Sequence, residues 1–180
     1  MNDYQLVHLR EQDIELIRQW RNDQMEILRQ KKAITKEEQR DYYTRFILPA
    51  FSMDFPSQYL LSFLYRNTCI GYGGLTNVDW EAKRAEVSFL LSTSRTDEKY
   101  YSRDFTQFLN LLSQLAFNNL DMQRLFTETF AFRQNHIEIL ENFGFRKEGV
   151  LRKHVYKRGQ LMDSILHGFL IDEWRGQHEK

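Results

Sequence analysis

The five histidines and the single cysteine are the side chains of this 180-residue sequence with the widest chemical range. A zinc site needs several His or Cys ligands at short spacings, and no second His or Cys stands at such a spacing from His136, His154 or His167. Cys69 has no partner for an intramolecular disulfide bond. The Gly-x-Ser-x-Gly motif of many serine hydrolases is absent. The sequence therefore predicts neither a metal site nor a Ser-His-Asp hydrolase.

Arg21 is a candidate for binding an anion, because a guanidinium can hold a phosphate or a carboxylate through two parallel hydrogen bonds. It stands between Trp20 and Asn22 near the end of the first predicted helix. We expect Arg21 and Asn22 to line a substrate cleft and Trp20 to lie in the core. The alternative for Arg21 is a salt bridge with a nearby acid.

The charge balance and the apolar pattern limit the classes of partner. The 25 basic and 25 acidic side chains give a formal net charge of zero, whereas non-specific nucleic-acid binding relies on clustered Lys and Arg. The sequence contains no uninterrupted run of about 18 apolar residues and no signal-peptide pattern in its charged first 20 residues. We therefore expect a cytoplasmic protein with no nucleic-acid or membrane partner, folded as a single domain over residues 1–180.

Hydrophobic periodicity predicts seven strands and four helices. The strands are expected at residues 4–9, 59–65, 69–75, 84–91, 125–130, 150–156 and 161–170. The helices are expected at residues 14–22, from the Thr35–Glu38 capping box to Pro49, at 104–119 and at 135–143. Gly144 follows the last helix, where a positive φ is needed.

The element order β-α-α-β-β-β-α-β-α-β-β predicts an α+β fold with a single mixed, mostly antiparallel central sheet flanked by helices. The strand, helix, strand unit over residues 84–130 requires a parallel pair joined by a right-handed crossover. The strands on either side of this unit can be antiparallel.

Four segments resemble the GCN5-related N-acetyltransferase (GNAT) superfamily in their order and separation. They are Arg18-Gln19-Trp20-Arg21-Asn22, Cys69-Ile70-Gly71-Tyr72-Gly73-Gly74, Glu86-Val87-Ser88-Phe89-Leu90-Leu91 and Ile139-Leu140-Glu141-Asn142-Phe143-Gly144-Phe145. The resemblance spans nearly the whole chain. It implies the GNAT fold and transfer of an acyl group, most simply acetyl, from acyl-CoA to an amine, without a metal.

The Trp-Arg-Asn sequence, Lys147-Glu148-Gly149-Val150-Leu151-Arg152 and Asp163-Ser164-Ile165 resemble one branch of that superfamily. This branch includes nucleotide-amino-sugar acetyltransferases and ribosomal-protein N-terminal acetyltransferases. The resemblance implies a primary amine as acceptor. We favour a small molecule such as a nucleotide-linked amino sugar, with a protein N-terminus as the alternative, and the oligomeric state stays open.

The expected loop for the CoA pyrophosphate departs from the family pattern. Relatives place an Arg/Gln-x-x-Gly-x-Gly/Ala turn before the long helix, whereas residues 92–104 contain no glycine. Counting back from the helix face puts the glycine positions at Arg103 and Phe105. We expect the pyrophosphate to meet amides at the start of a helix near Ser102, with these residues involved: Lys99, Ser102, Arg103, Asp104 and Phe105.

The pantetheine arm is expected to pair with the backbone of Phe89, Leu90 and Leu91, as a peptide adds to a strand. Asn135 is expected to cap the last helix or to bond the same arm. The missing glycines leave two alternatives to an enzyme. One is a module that binds CoA without turnover, and the other is an interaction protein without any cofactor.

Glu86 is predicted to be the base, because relatives of this branch often carry a glutamate there and an attacking ammonium must lose a proton. The alternative is an ion pair with Lys83 or Arg84. Many relatives carry a tyrosine that protonates the departing thiolate, but the corresponding residue is Leu140. His136, one turn earlier, is the remaining catalytic candidate, and its alternative is a helix-start residue bonded to backbone.

Overall fold

A seven-stranded sheet forms the centre of the molecule in a computed structural model that describes residues 3–178. The strands are β1 Tyr4–His8, β2 Tyr59–Tyr65, β3 Thr68–Asp79, β4 Arg84–Leu91, β5 Arg124–Phe130, β6 Arg146–Lys157 and β7 Gln160–Leu170. Their order is β1-β2-β3-β4-β5-β7-β6. Only β4 and β5 are parallel, so the predicted mixed sheet is confirmed.

Helices flank both faces of this sheet. They are α1 Ile14–Asp23, α2 Lys36–Tyr42, α3 Leu48–Ala50, α4 Glu98–Gln114, α5 Gln134–Phe143 and α6 Ile171–His178. Short 3-10 turns lie at Glu11–Asp13, Met25–Ile27 and Thr93–Arg95, and π-helical turns at Tyr43–Ile47 and Leu115–Asn119. Within the described chain, no helix has the length and apolar character that a membrane crossing needs.

The helix predicted from the Thr35–Glu38 capping box to Pro49 corresponds to the contiguous helical segments Lys36–Tyr42, Tyr43–Ile47 and Leu48–Ala50, which end one residue after Pro49. Helix α6 was not predicted, because among residues 171–177 only Ile171 and Trp174 are buried and so leave no clear apolar pattern. The predicted capping box is confirmed by reciprocal hydrogen bonds between Thr35 and Glu38.

Each face of β4 packs into a different hydrophobic cluster. Phe89 and Leu91 point to the side of α4, where they join Phe105 and other buried rings. Leu90 points to the opposite side and packs in the cluster that contains Trp20. This alternation follows from the two-residue period of a strand and explains the continuous apolar run of β4.

The parallel pairing of β4 with β5 stops early. The strands pair at Arg84–Arg124, Ala85–Leu125 and Glu86–Phe126, although β4 continues to Leu91 and β5 to Phe130. Beyond Glu86 the strands separate, so the edge of β4 that faces β5 has no strand partner among residues 3–178. This separation opens a cleft in the middle of the sheet.

Asp104 anchors α4 to the first strand. Its fully buried carboxylate accepts hydrogen bonds from Tyr4 Oη at 2.7 Å, Arg95 Nε at 2.6 Å and Arg103 Nε at 3.2 Å. Burial opposes ionisation, but the Arg95 and Tyr4 hydrogen bonds outweigh it and lower the pKa of Asp104. Asp104, expected to bind the cofactor, is thus fully occupied by this anchor, and Arg103, also expected to bind the cofactor, contributes one hydrogen bond to it.

Replacing Asp104 with Asn should destabilise the fold by about 3 kcal/mol at pH 7, because it leaves the Arg95 guanidinium without its counter-charge. The lowered pKa also means that the unfolded chain takes up the proton first as the pH falls below about 4. The wild-type protein should therefore lose this stabilisation in acid, whereas the variant has none to lose. Urea unfolding at pH 7 and pH 3 measures both effects.

The exposed Asp172→Asn variant is the matched control, since Asp172 lies on the surface of α6. Surface ion pairs contribute about 1 kcal/mol or less. If Asp104→Asn lowers the free energy of unfolding at pH 7 by no more than that, the anchor contributes little.

Candidate active site

The cleft between β4 and β5 has a volume of about 490 Å³ and is rich in charged side chains. We call it the central cleft. Its titratable and cationic lining comprises Arg21, Arg29, Glu86, Glu128, Arg133 and His136. Two of the predicted catalytic residues and one predicted substrate-binding residue thus meet in one place.

Glu86 lies at the last position where β4 pairs with β5 and is only 7% exposed. Its Oε1 accepts a hydrogen bond from Arg29 Nη2 at 3.0 Å, and its Oε2 accepts one from Asn77 Nδ2 at 2.6 Å. The alternative partners Lys83 and Arg84 bond Asp121 and Asp79 instead. The Glu86 carboxylate is therefore directed into the central cleft by two residues that the sequence reasoning missed.

Asn77 reaches Glu86 from an irregularity in β3. The register of β3 against β4 shifts between Thr76 and Asp79, and Asn77 has a φ of 47°, a left-handed conformation that Asn tolerates better than most residues. The bulge turns the Asn77 amide towards the carboxylate. A bulge leaves no mark in the hydrophobic pattern, so this contact had no signal in the sequence.

Arg29 also contacts a second carboxylate, with 3.0 Å between its Nη2 and Glu128 Oε2. Burial opposes the charge of Arg29, but Glu86 and Glu128 together raise its pKa. Its segment, between the turn Met25–Ile27 and α2, is held by Lys157 Nζ, which donates to the carbonyl oxygens of Met25 at 3.0 Å and Leu28 at 2.6 Å. The β6–β7 hairpin thereby positions Arg29.

Asn22 stabilises the same segment from its other end. Its Oδ1 accepts hydrogen bonds from Gln30 Nε2 at 2.9 Å and the Ile34 amide at 2.8 Å, and its Nδ2 donates to the Ile34 carbonyl at 2.9 Å. Asn22 was expected to bind substrate, but these bonds commit its side chain to the loop.

Arg21 lies in the central cleft, as expected, and also lines a neighbouring chamber of about 420 Å³. Its Nη1 donates to Tyr72 Oη at 2.5 Å and its Nε to Gln30 Oε1 at 3.1 Å. Both partners are uncharged, and no carboxylate among residues 3–178 forms an ion pair with Arg21. The alternative of a structural salt bridge is therefore not observed.

His136 is buried beside Tyr101 and Arg133, with its ring stacked on Phe105 at 4.3 Å between centroids. Its Nδ1 lies 2.8 Å from Tyr101 Oη and 3.3 Å from Arg133 Nη2. Burial and the positive charge of Arg133 hold the pKa of His136 well below 6.5, so the ring is neutral at pH 7. Because Arg133 can only donate, Nδ1 is the acceptor and Nε2 carries the proton. Side chains rather than backbone satisfy this histidine.

The start of α4 differs from the prediction. The helix begins at Glu98, after Asp97, whose Oδ1 accepts a hydrogen bond from the Lys99 amide at 3.0 Å. The amides of Ser102 to Phe105 lie inside the helix, where they bond carbonyls four residues earlier. The helix start predicted near Ser102 is wrong, because the first turn has a single buried side chain, Tyr101, and therefore lacks the apolar period of the rest of the helix. Lys99 is exposed on this turn.

Ser102 and Phe105 lie on different sides of α4. Ser102 lines a groove with Thr106 and Asn142, away from the central cleft. Phe105 is fully buried and stacks on Phe89 at 4.6 Å between centroids, so it packs against the central cleft.

A second depression of about 500 Å³ adjoins the central cleft, and we call it the outer cleft. Thr96 and Tyr101 line it from the α4 side and Asn135 from the α5 side. Asn135 does not cap α5, which begins at Gln134 after Arg133. Arg133 and His136 line both clefts, so the two form one continuous path.

The backbone of β4 at Phe89, Leu90 and Leu91 lies along this path. The side chain of Phe89 lines the central cleft, whereas Leu90 and Leu91 are buried in the two hydrophobic clusters. The Leu91 carbonyl oxygen accepts a hydrogen bond from Gln24 Nε2 at 2.8 Å.

Comparison with known proteins gives a family match over most of the chain. A model described as an acetyltransferase (GNAT) domain matches residues 6–166. Two relatives share 26% identity over 107 residues: an uncharacterized SPbeta prophage-derived N-acetyltransferase, YokL, of Bacillus subtilis (strain 168) and an uncharacterized N-acetyltransferase, p20, of Bacillus licheniformis. The matches cover 59% of this chain and 59% and 58% of those proteins. This chain thus spans about three fifths of the length of the curated relatives it matches.

Solved structures share the fold. Spermidine N-acetyltransferase from Vibrio cholerae, in complex with CoA and spermine, superposes with a TM-score of 0.82 at 15% identity, covering 96% of this chain and 98% of that chain. RimL, a ribosomal L7/L12 alpha-N-protein acetyltransferase in complex with CoA, superposes with a TM-score of 0.77 at 15% identity. The match covers 96% of this chain and 97% of that chain. At such identities the likeness establishes the fold alone.

The neutral state of His136 should make stability depend on pH. Because its pKa is lowered in the folded state, the unfolded chain binds the proton first as the pH falls through about 6.5. Stability should therefore fall by about 1 kcal/mol between pH 7 and pH 5.5, and a His136→Asn variant should lack this part of the loss. Urea unfolding at the two pH values measures the difference.

The half-exposed His154 supplies the control, so His154→Asn should keep the pH dependence of the wild-type protein. If His136→Asn retains the full loss, the ring is not held neutral in the folded state.

Proposed function

The chain belongs to the acetyltransferase (GNAT) family, and we propose that it transfers an acetyl group from acetyl-CoA to a primary amine. The observation that carries the proposal is the buried Glu86 carboxylate at the point where β4 and β5 separate. A base in that position lies beside the unpaired edge of β4. A direct acyl transfer requires two groups of the protein: a base, and backbone N–H groups that bind the carbonyl oxygen.

Acetyl-CoA is the substrate that supplies the acetyl thioester. The outer cleft supports its binding, because it leads from the first turn of α4 past Arg133 into the central cleft. The amides of Glu98, Lys99 and Tyr100 replace those of Ser102 to Phe105 as the proposed pyrophosphate contact, and the exposed Lys99 adds a positive charge. Asp97 opposes this binding, since its carboxylate already occupies the Lys99 amide.

Each residue of the central cleft has a separate role in the proposed reaction. The free backbone edge of β4 beyond Glu86 offers N–H groups to the thioester carbonyl oxygen. Glu86 accepts the proton that the amine loses as its nitrogen bonds to the acetyl carbon. When the carbon–sulfur bond breaks, the Nε2–H of the neutral His136 ring donates a hydrogen bond to the departing thiolate, which takes its proton from solvent. Tyr101 and Arg133 are positioning residues, because they fix that tautomer.

The acceptor is a small amine with an anionic group, such as a nucleotide-linked amino sugar. Arg21 supports this choice, because its two observed hydrogen bonds go to uncharged partners and its charge is available to a phosphate or carboxylate. The neighbouring spermidine N-acetyltransferase, crystallised with spermine, acts on a small amine. A protein N-terminus is the second candidate, supported by the likeness to RimL.

A thiol-release assay with acetyl-CoA and a panel of amines tests the proposal. The panel comprises nucleotide-linked amino sugars, the free amino sugars, spermidine and peptides with a free N-terminus. We expect the highest kcat/KM with a nucleotide-linked amino sugar. Removing the phosphates from this substrate should lower kcat/KM in the wild type, and it should lower kcat/KM less in Arg21→Ala. CoA binding without turnover of any amine would instead support a non-catalytic module.

Replacing Glu86 with Gln should lower turnover by about 10²- to 10⁴-fold, the usual contribution of a positioned base. The amide keeps the size of the side chain but cannot take up the proton, so acetyl-CoA affinity should stay unchanged. The loss should shrink as the pH rises and more of the amine is already neutral. Initial rates from pH 6.5 to 9.5 and calorimetric titration with CoA give both quantities.

Glu138→Gln is the control, since Glu138 is exposed on α5. Wild-type turnover of Glu86→Gln at pH 7 would exclude Glu86 as the base.

Replacing Asp97 with Asn should tighten CoA binding by about 2- to 5-fold. Asn caps a helix as well as Asp does, but it removes a negative charge from the helix start, which corresponds to about 0.3–1 kcal/mol for an anion at that place. Calorimetry at low and high salt measures the change, which should diminish in high salt.

The loop variant Asp54→Asn removes an equal charge from an exposed position before β2 and should leave CoA affinity unchanged. An unaltered dissociation constant in Asp97→Asn would place the pyrophosphate away from the first turn of α4.

A further inference from the structure

Glu86 and Glu128 share one cation at the separation of β4 and β5. Arg29 Nη2 lies 3.0 Å from Glu86 Oε1 and 3.0 Å from Glu128 Oε2. Two carboxylates that share a site disfavour each other's charge unless a cation lies between them. The pair therefore forms a cation site, and a side chain of the protein itself fills it.

The contact is made by a single nitrogen. An arginine commonly grips a carboxylate with two parallel N–H donors, but here one Nη2 serves both Glu86 and Glu128. An ammonium nitrogen carries three donors on one atom. The arrangement of the two oxygens is thus one that a primary ammonium can satisfy as well as the guanidinium does.

Arg29 is the replaceable member of the trio. Its side chain is 55% exposed, compared with 9% for Glu86 and 16% for Glu128. It projects from a segment without regular secondary structure, whereas the two acids lie on strands. Arg29 can therefore turn into solvent while the two carboxylates stay in place, and ion pairs with so exposed a partner are weak.

We propose that the acceptor nitrogen binds as an ammonium ion between Glu86 and Glu128 in the place of Arg29 Nη2. This inference rests on the proposed N-acetyl transfer. The position is 3.0 Å from Glu86 Oε1, within the range of about 2.6–3.2 Å at which a base takes up a proton. Glu86 then removes the proton, Glu128 selects cationic acceptors, and Arg29 acts as a tethered competitor that protects the paired acids until an amine arrives.

A titration without acetyl-CoA tests the site independently of turnover. Ethylammonium chloride is added to the ¹⁵N-labelled protein, and amide shifts of residues 77, 86 and 128 are followed by NMR. Arg29→Gln removes the tethered competitor and should bind the probe at least about 5-fold more tightly than the wild type. Arg29→Gln/Glu128→Gln should lose about 10-fold of that affinity, the effect of about one charge-assisted hydrogen bond.

Arg40→Gln is the matched control, because Arg40 is an exposed arginine of α2 whose side chain is 72% accessible. It should bind the probe as weakly as the wild type. Arg29→Ala provides a second variant if Arg29→Gln has a lowered melting temperature. Equal affinity of the wild type and both Arg29 variants, or no loss on adding Glu128→Gln, would overturn the inference. Because acetyl-CoA is absent, a failure of acetyl transfer would leave this result unchanged.

Discussion

The separation of β4 from β5 after the Glu86–Phe126 pair is the constraint on which the whole site depends. Continued pairing would satisfy the edge of β4 and leave no cleft. A ring stack keeps the flanking elements in place, since Phe105 of α4 packs on Phe89 of β4 and on His136 of α5. The hydrophobic core and the functional cleft therefore share the same aromatic side chains.

The two sides of the cleft differ in their electrostatic environment. On one side, Arg29 lies between the carboxylates of Glu86 and Glu128. On the other side, burial and the neighbouring Arg133 keep His136 neutral. The proposed base for the amine and the proposed hydrogen-bond donor to the sulfur thus lie in different electrostatic environments of one cleft.

The sequence predicted the architecture better than the site. The apolar run of β4 and the capping box at Thr35 are local patterns, so the sheet and helix order could be predicted. The partners of Glu86 could not, because Asn77 acts through a bulge and Arg29 through a loop held by Lys157, 128 positions further on. The start of α4 was misplaced because Tyr101 is the only buried side chain of its first turn, Glu98 to Tyr101.

A crystal structure with acetyl-CoA tests the central claim most directly. The account predicts the pantetheine amides on the free edge of β4 at residues 87–91. It also predicts that the Glu86 carboxylate can reach the face of the thioester from which an amine attacks, at about 2.6–3.2 Å from the attacking nitrogen or through one water. A thioester bound outside the gap between β4 and β5, with the pantetheine arm away from β4, would contradict it.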